Sequence, residues 1–347
     1  MEKGCRETSL FSLFSCKFDK KALTLHAVTT YNPFYKNMKY AIIGTGAIGG
    51  YYGARLAKAG FDVHFLLHSD YQHVVEHGMR IDSCDGNFQL KSPNVYHNTE
   101  SMPECDVVIV ALKTTNNHLL PSLLTPLLKP ETMVLLIQNG IGVEPDVEKM
   151  FPGQPLAAGL AFICSAKAGP GHINHQFYGN INIGNYSCND TERFQRLIDD
   201  LRTAGIGAAA VDYLEARWKK AVWNMPFNGM TVALDTTTNH LLACSSTHKL
   251  IYDQMLEVIG AANALGIKNI DKSFADKMIA NTLKMPPYSP SMKLDFDFHR
   301  PMEIDYIYSR PIADAKSVGF NMPKLEMLEA ELRFKEVKSS MELRVKS

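Results

Sequence analysis

The sequence predicts an α/β domain followed by an all-α domain: an N-terminal Rossmann-type doubly wound sheet, then a C-terminal helical domain. Three observations carry this. "MKYAIIGTGAIGGYYGARLAKAG" (38–60) reads as strand, glycine turn and helix. Further apolar runs follow at the spacing of buried parallel strands. After Asp212 the apolar period changes to that of helices. At 347 residues the chain is too long for one ordinary core, so two domains are expected. The divisions are 38–211 for the sheet domain, 212–335 for the helical domain and 336–347 for a charged, fraying tail. Residues 1–37 are expected to be an unstructured extension upstream of the start at Met38, or else a targeting or regulatory arm. "SLFSLFSCKF" is too short and too often broken by Ser for a signal segment.

The first unit rests on its glycines. An apolar run, Tyr40 to Ile43, enters Gly44-x-Gly46-x-x-Gly49, and Ile48, Tyr52, Leu56 and Ala59 follow at helical period until Gly60. Gly44 permits the tight turn, Gly46 lets the backbone approach a pyrophosphate, and Gly49 lets helix and strand pack closely. With Thr45, Ala47 and Ile48 these residues form the expected dinucleotide cradle, the phosphates lying at the helix N-terminus. The acidic residue that would bind ribose hydroxyls is missing at the end of the next strand, "FDVHFLL". His68 and Ser69 stand there instead, and they suit a ribose phosphate, so NADP (NADPH) is favoured over NAD. Ser69 or Asp70 could alternatively cap the helix that follows. Asp70 is expected to do so, turning its carboxylate from the ribose.

Two more buried strands, in 106–117 and 132–144, end at Lys113 and at Gln138-Asn139-Gly140. Ligands of doubly wound sheets sit beyond the carboxyl ends of strands. Lys113 and Asn139 are therefore candidates to face cofactor and substrate; the bland alternatives are a solvated loop lysine and a turn former. Residues 156–187 have the punctuation of antiparallel strands. A helix (190–204) and a short strand (206–211) complete the domain.

The helical half opens with "YLEARWKKAVWNMPFNGM". Lys220, Asn224 and Asn228 are spaced by four, within roughly 80° of one another on one face. Trp218, Val222 and Met225 point elsewhere and can pack, and Lys219 is the better solvent lysine. Such a stripe could be a hydrated surface; beside a nicotinamide it could do chemistry.

Composition excludes several classes. The 36 Lys and Arg balance 36 Asp and Glu, leaving no field to attract nucleic acid or an anionic membrane. No apolar run has the roughly 18–20 residues of a membrane span. Seven cysteines without a CxxC pair suit free thiols in a reducing cytosol, hence a cytoplasmic protein. His172 and His175 ("HINH") are expected to have no carboxylate cluster nearby and to be strand or loop residues, so no metal is expected.

From about 38 to 330 the chain resembles the ketopantoate reductase (2-dehydropantoate 2-reductase) family of the 6-phosphogluconate-dehydrogenase-like group. The matching elements stand in the family's order: "IIGTGAIGGYYGARLAKAG", "VIVALKT", "LLIQNGIG", "RWKKAVWN…N" and "SMKLDFDFHRPMEIDYI". The resemblance implies Lys220 as general acid and Glu303 as the residue that positions substrate and meets the cofactor. It assigns substrate binding to Asn224, Asn228, Ser291 and Asn139, and cofactor contacts to the glycine turn, His68, Ser69, Lys113 and Asn139. A protonated Lys220, expected to hold its proton at neutral pH without tuning, would meet the alkoxide forming as a ketone takes a hydride. Three features depart from the family: His68 replaces an Arg, Gly229-Met230 replaces Pro-Leu, and "EIDYIYS" lacks the usual Asn-Gly. The implied activity is reduction of a small keto acid, 2-dehydropantoate to pantoate, by NADPH, with a homodimer as one oligomeric state. The alternatives are a reductase of another 2-keto or 3-keto acid, and an NADP(H)-binding regulatory protein without turnover.

Overall fold

A computed structural model describes residues 38–346; the expectations for 1–37 lie outside the described residues. The first apolar run becomes β1 (Lys39–Ile43), with Tyr40 to Ile43 fully buried, and the glycine turn leads into α1 (Ala47–Lys58). Then come β2 (Asp62–Leu66), α2 (Tyr71–His77), β3 (Met79–Ser83), β4 (Phe88–Leu90), β5 (Asn94–Tyr96) and β6 (Val107–Val110). A 3-10 turn (Thr114–Leu119) and α3 (Leu120–Leu124) lead to β7 (Met133–Leu136), followed by α4 (Val143–Met150). The long pair β8 (Leu156–Gly169) and β9 (His172–Asn185), α5 (Thr191–Thr203) and β10 (Ala208–Val211) complete this half.

The ten strands form one mixed sheet in the order β4-β3-β9-β8-β7-β6-β1-β2-β5, with β10 beside β9. β1 lies between β2 and β6, parallel to both. The winding reverses there, and such a switch point is where open α/β sheets bind their ligands. β8 and β9 pair antiparallel, as the Gly/Asn punctuation predicts. The four-residue runs of β6 and β7 are wholly buried, which is why they read as unbroken apolar stretches rather than alternating ones.

The helical half comprises α6 (Tyr213–Ala233), α7 (Thr238–Ala243), α8 (Ser245–Ala264), α9 (Lys272–Thr282), α10 (Ser291–Asp297), α11 (Arg310–Ser317) and α12 (Pro323–Lys346). Its core gathers Trp218, Val222, Met225, Phe227, Met255, Tyr308 and Leu325. Between α10 and α11, Asp305–Ser309 forms a π turn that periodicity did not reveal. Pro311 offers no N–H to the carbonyl four residues back and crowds it, which favours the wider turn. The stretch expected to fray from 336 onward is helical through Lys346.

The described chain divides into two compact units, 38–138 with 144–213, and 139–143 with 214–346. Five residues after β7 thus belong with the helices. Local contacts explain this. Ile141 N–H donates to the Tyr306 carbonyl (2.8 Å), and the Arg310 guanidinium lies 4.2 Å from the Tyr306 ring centre. Gly140 has φ +96°, and a Cβ there would stand 2.4 Å from the Tyr306 oxygen. Only glycine fits that approach.

Candidate active site

In the sheet unit, each glycine of the turn meets a different constraint. Gly44 has φ +96°, and a Cβ on it would lie 2.6 Å from the Leu112 nitrogen. A Cβ at Gly49 would lie 2.4 Å from the Gly44 oxygen and 2.9 Å from Ala111 Cβ, so helix and strand pack too closely for any side chain. At Gly46 a Cβ would meet no protein atom within 4 Å. Its absence therefore serves no internal packing; it leaves backbone accessible where α1 begins, as a pyrophosphate requires. Thr45 Oγ1 donates to the Leu66 carbonyl (2.8 Å), tying the turn to the end of β2, while Ala47 and Ile48 open α1. Lys113 stands half-buried at the start of the 3-10 turn after β6.

His68 and Ser69 are exposed just past β2. The His68 ring stacks with that of His97, centroids 6.2 Å apart at 27°, and Tyr71 meets His97 edge-on at 5.4 Å. His97 follows β5, whose Tyr96 pairs in register with Leu66. β5 is a short polar strand with no sequence signal, so His97 was missed. Asp70 does turn away from this corner, but not by capping, since its side chain makes no cap hydrogen bond. It accepts instead from Gly171 N–H (2.9 Å) and Lys167 Nζ (2.7 Å). The end of β8 and the turn into β9 supply those partners, and local sequence could not show them.

In the helical unit, α6 carries Lys220 and Asn224 into one small pocket. Gly140, Ile141, Arg217, Ala221, Met225, Tyr306 and Ile307 complete its lining. Lys220 keeps a partial opening to the pocket, yet the surrounding protein is dense. Burial, reinforced by the Arg217 charge, pushes its ammonium down to about 7 while Glu303 pulls it up. The expectation of a lysine protonated without tuning is thereby corrected: near pH 7 its proton is poised to leave. Glu303 is 4% exposed and precedes the π turn. Arg217, 2% exposed, is the cation that sequence reasoning overlooked. It directly precedes Trp218 on α6, three residues before Lys220, and is not among the candidate site residues drawn from the sequence.

Asn228 and Ser291 are not among the pocket-lining residues. Asn228 is buried, and its Oδ1 accepts the Met292 N–H (3.1 Å), holding the first turn of α10, where Ser291 begins the helix. Asn139 directly precedes Gly140 in the strand-end loop and is half-buried. Lys219 is not the solvated lysine: it pairs with Glu215, which also accepts from Asn269 (2.8 Å). Two departures noted in the sequence meet in space. A Cβ at Gly229 would lie 2.6 Å from the Tyr308 hydroxyl, and that hydroxyl donates to the Met225 carbonyl (2.6 Å). Tyr308 takes up the room that a side chain at 229 would need.

Comparison with known proteins bears on this arrangement. The family described as Ketopantoate reductase PanE/ApbA matches residues 40–187, and its C-terminal counterpart matches 212–336. A 2-dehydropantoate 2-reductase of Nostoc sp. is 47% identical over 302 residues, 85% of this chain and 94% of that one. A crystal structure of 2-dehydropantoate 2-reductase from Geobacter metallireducens superposes with a TM-score of 0.83 at 38% identity, covering 85% of this chain and 99% of the other. A D-mandelate dehydrogenase solved with NADH and anilino(oxo)acetate gives 0.80 at 26% identity, covering 87% and 100%. With both halves matched in order, the chain belongs to the ketopantoate reductase family and is an oxidoreductase.

Proposed function

We propose that the chain reduces 2-dehydropantoate to (R)-pantoate with NADPH, on the route to pantothenate and coenzyme A, with Lys220 as general acid. The observation that carries this is the small pocket lined by Lys220, Asn224 and Arg217, where burial pushes the lysine pKa down while Glu303 pulls it up. The name of the Nostoc relative, nearly half identical, supports the substrate.

The glycine turn fits a dinucleotide, because Gly46 leaves backbone bare at the start of α1. When bound, reduced nicotinamide supplies a hydride to the keto carbon. The chain's own residues do the rest. The Lys220 ammonium stabilises the negative charge growing on the keto oxygen and passes it a proton, leaving a neutral amine that recovers its proton from solvent. Arg217 and Asn224 offer donors to the substrate carboxylate, with Asn139 and Ser291 as further polar contacts. Asn228 acts through its hold on α10. Glu303 accepts from a substrate hydroxyl and keeps Lys220 protonated longer than burial alone would allow. His68, joined by His97 and Ser69, receives the ribose phosphate, while Lys113 and Asn139 serve the cofactor beyond their strand ends. We place the activity in the cytoplasm, in keeping with the scattered free cysteines.

A second reading is favoured by Gly229 and Tyr308, which alter the family pattern on the catalytic helix and the π turn. The D-mandelate dehydrogenase neighbour was solved with NADH and a keto-acid-like ligand. Another small 2-keto or 3-keto acid, or NADH, is therefore the alternative. A purely regulatory nucleotide binder is disfavoured, because it has no use for a pocket-lining lysine under the charge of a buried glutamate. Steady-state oxidation of NADPH and NADH, with ketopantoate against a panel of keto acids, separates these readings. Lys220→Ala is expected to lower kcat by about 10²–10⁴-fold with NADPH affinity nearly intact. Turnover close to wild type would remove the lysine from its role.

A further inference from the structure

Away from the glycine turn, the sheet unit brings together a histidine, a cysteine and an aspartate that the reductase chemistry does not use. His175 lies buried on β9, in parallel register with Ser83 of β3, and Cys84 and Asp85 follow in the exposed β3–β4 turn. Among the described residues this is the one group of three or more such side chains arranged so that it could hold a metal ion. His175 Nδ1 is 3.9 Å from Cys84 Sγ and 3.9 Å from Asp85 Oδ2, and Cys84 Sγ is 3.9 Å from Asp85 Oδ1. Asp85 meets the two neighbours with different oxygens; with one ligand atom taken from each residue, all three lie within 4.8 Å of one another. A common centre then lies within about 2.8 Å of each, so closing on an ion at zinc bond lengths takes side-chain movements of under about 1 Å.

The imidazole is prepared for the task. Burial pushes its pKa down, so it stays neutral, the form that ligates. Ser83 Oγ lies 2.9 Å from Nδ1 and already accepts the Asp85 N–H (3.1 Å). Its own proton can therefore go to Nδ1, which puts the lone pair on Nδ1 and the ring hydrogen on Nε2. Binding an ion requires that hydroxyl to turn away. Arg55 opposes it: Nη1 is 3.7 Å from Asp85 Oδ2, although Nε and Nη2 are held by the Ala204 and Gly205 carbonyls (3.0 and 2.8 Å). Tyr51, whose ring lies 4.3 Å from the imidazole, has its phenol pushed up to about 12, chiefly by burial, and adds no charge. A nearby guanidinium disfavours hard ions held by charge alone. An ion that gains from a thiolate bond tolerates it better.

We propose that Cys84, Asp85 and His175 form a three-ligand site for a borderline divalent ion of the zinc class, the fourth position open to water. Binding releases the Cys84 proton to solvent and clamps the β3–β4 turn to β9. The test is titration of the purified full chain with Co²⁺, followed by displacement with Zn²⁺. Expected are one equivalent bound, a thiolate-to-cobalt charge-transfer band, loss of that band in Cys84→Ser, and at least tenfold weaker binding in Asp85→Asn. Both positions are exposed, so the variants should fold, and ketone reduction by metal-free Cys84→Ser should match wild type. No charge-transfer band in the wild-type chain, or the same band in Cys84→Ser from another thiol such as exposed Cys244, overturns the site.

Discussion

Lys220 shows how one side chain would tie the proposed chemistry to stability. In the general-acid role proposed above it must be protonated, and burial pushes its pKa in the folded chain down to about 7. The kcat/KM for ketone reduction at saturating NADPH should therefore be level below about pH 7 and fall tenfold per unit above it. Glu303 raises that pKa, so Glu303→Gln should move the break to lower pH as well as weaken substrate binding. An unmoved break would detach Glu303 from the lysine. The linkage has a definite sign. The folded pKa is depressed, so between about 7 and the unfolded lysine value the unfolded chain binds more protons and stability rises with pH. Lys220→Met should accordingly melt higher than wild type at pH 6, with the gain shrinking towards pH 10. At the corner proposed above for the ribose phosphate, His68→Ala and His97→Ala should each lower the NADPH-over-NADH ratio of kcat/KM several-fold. If His97→Ala leaves the ratio intact, its stacking on His68 is only packing.

Among the elements, α6 and the π turn depend on each other. Gly229 and the Tyr308 hydroxyl compete for one space, so Gly229→Ala should cost about 1–3 kcal/mol through overpacking. Tyr308→Phe should cost about 1 kcal/mol through its lost hydrogen bond to the Met225 carbonyl. In the double variant the contact with the hydroxyl is relieved, while Leu328 Cδ2, also 2.6 Å from that Cβ, stays in place, so the two costs should sum to somewhat more than the measured loss. Thermal or denaturant unfolding of the four proteins reads that difference, and strict additivity would mean the two positions do not interact. The sequence marked both residues as departures from the family pattern. Only the fold could show that the two meet, because they stand 79 positions apart on separate elements.

At the scale of the whole molecule, no helix among the described residues is long and apolar enough to cross a membrane. α12 nevertheless exposes Met327, Phe334, Val337 and Met341, all within roughly 80° of one helix face. A homodimer built on that stripe would bury those four side chains between two copies of α12. Sedimentation should then report a dimer for the wild-type chain and a monomer for Phe334→Glu. A wild-type monomer at micromolar concentration would remove the homodimer.

The sheet unit was legible because its signals are local: an apolar run, glycines at fixed offsets and a helical period lie within one short stretch, and backbone sterics dictate what each glycine permits. The stripe on α6 was legible too, since helical geometry alone puts Lys220 and Asn224 on one face. Tertiary packing decided everything that depends on distant neighbours. The proton affinity of Lys220 follows chiefly from burial, and from Glu303 83 positions away, which no spacing rule supplies; Arg217, three residues back on α6, is the one influence that helical spacing could have shown. The pairing of Asp70 with Lys167 and Gly171, the stacking of His97 on His68, and the transfer of residues 139–143 to the helical unit arise in the same way. Each is an interaction between groups far apart in the chain, and short-range sequence patterns carry no record of what will be folded against them.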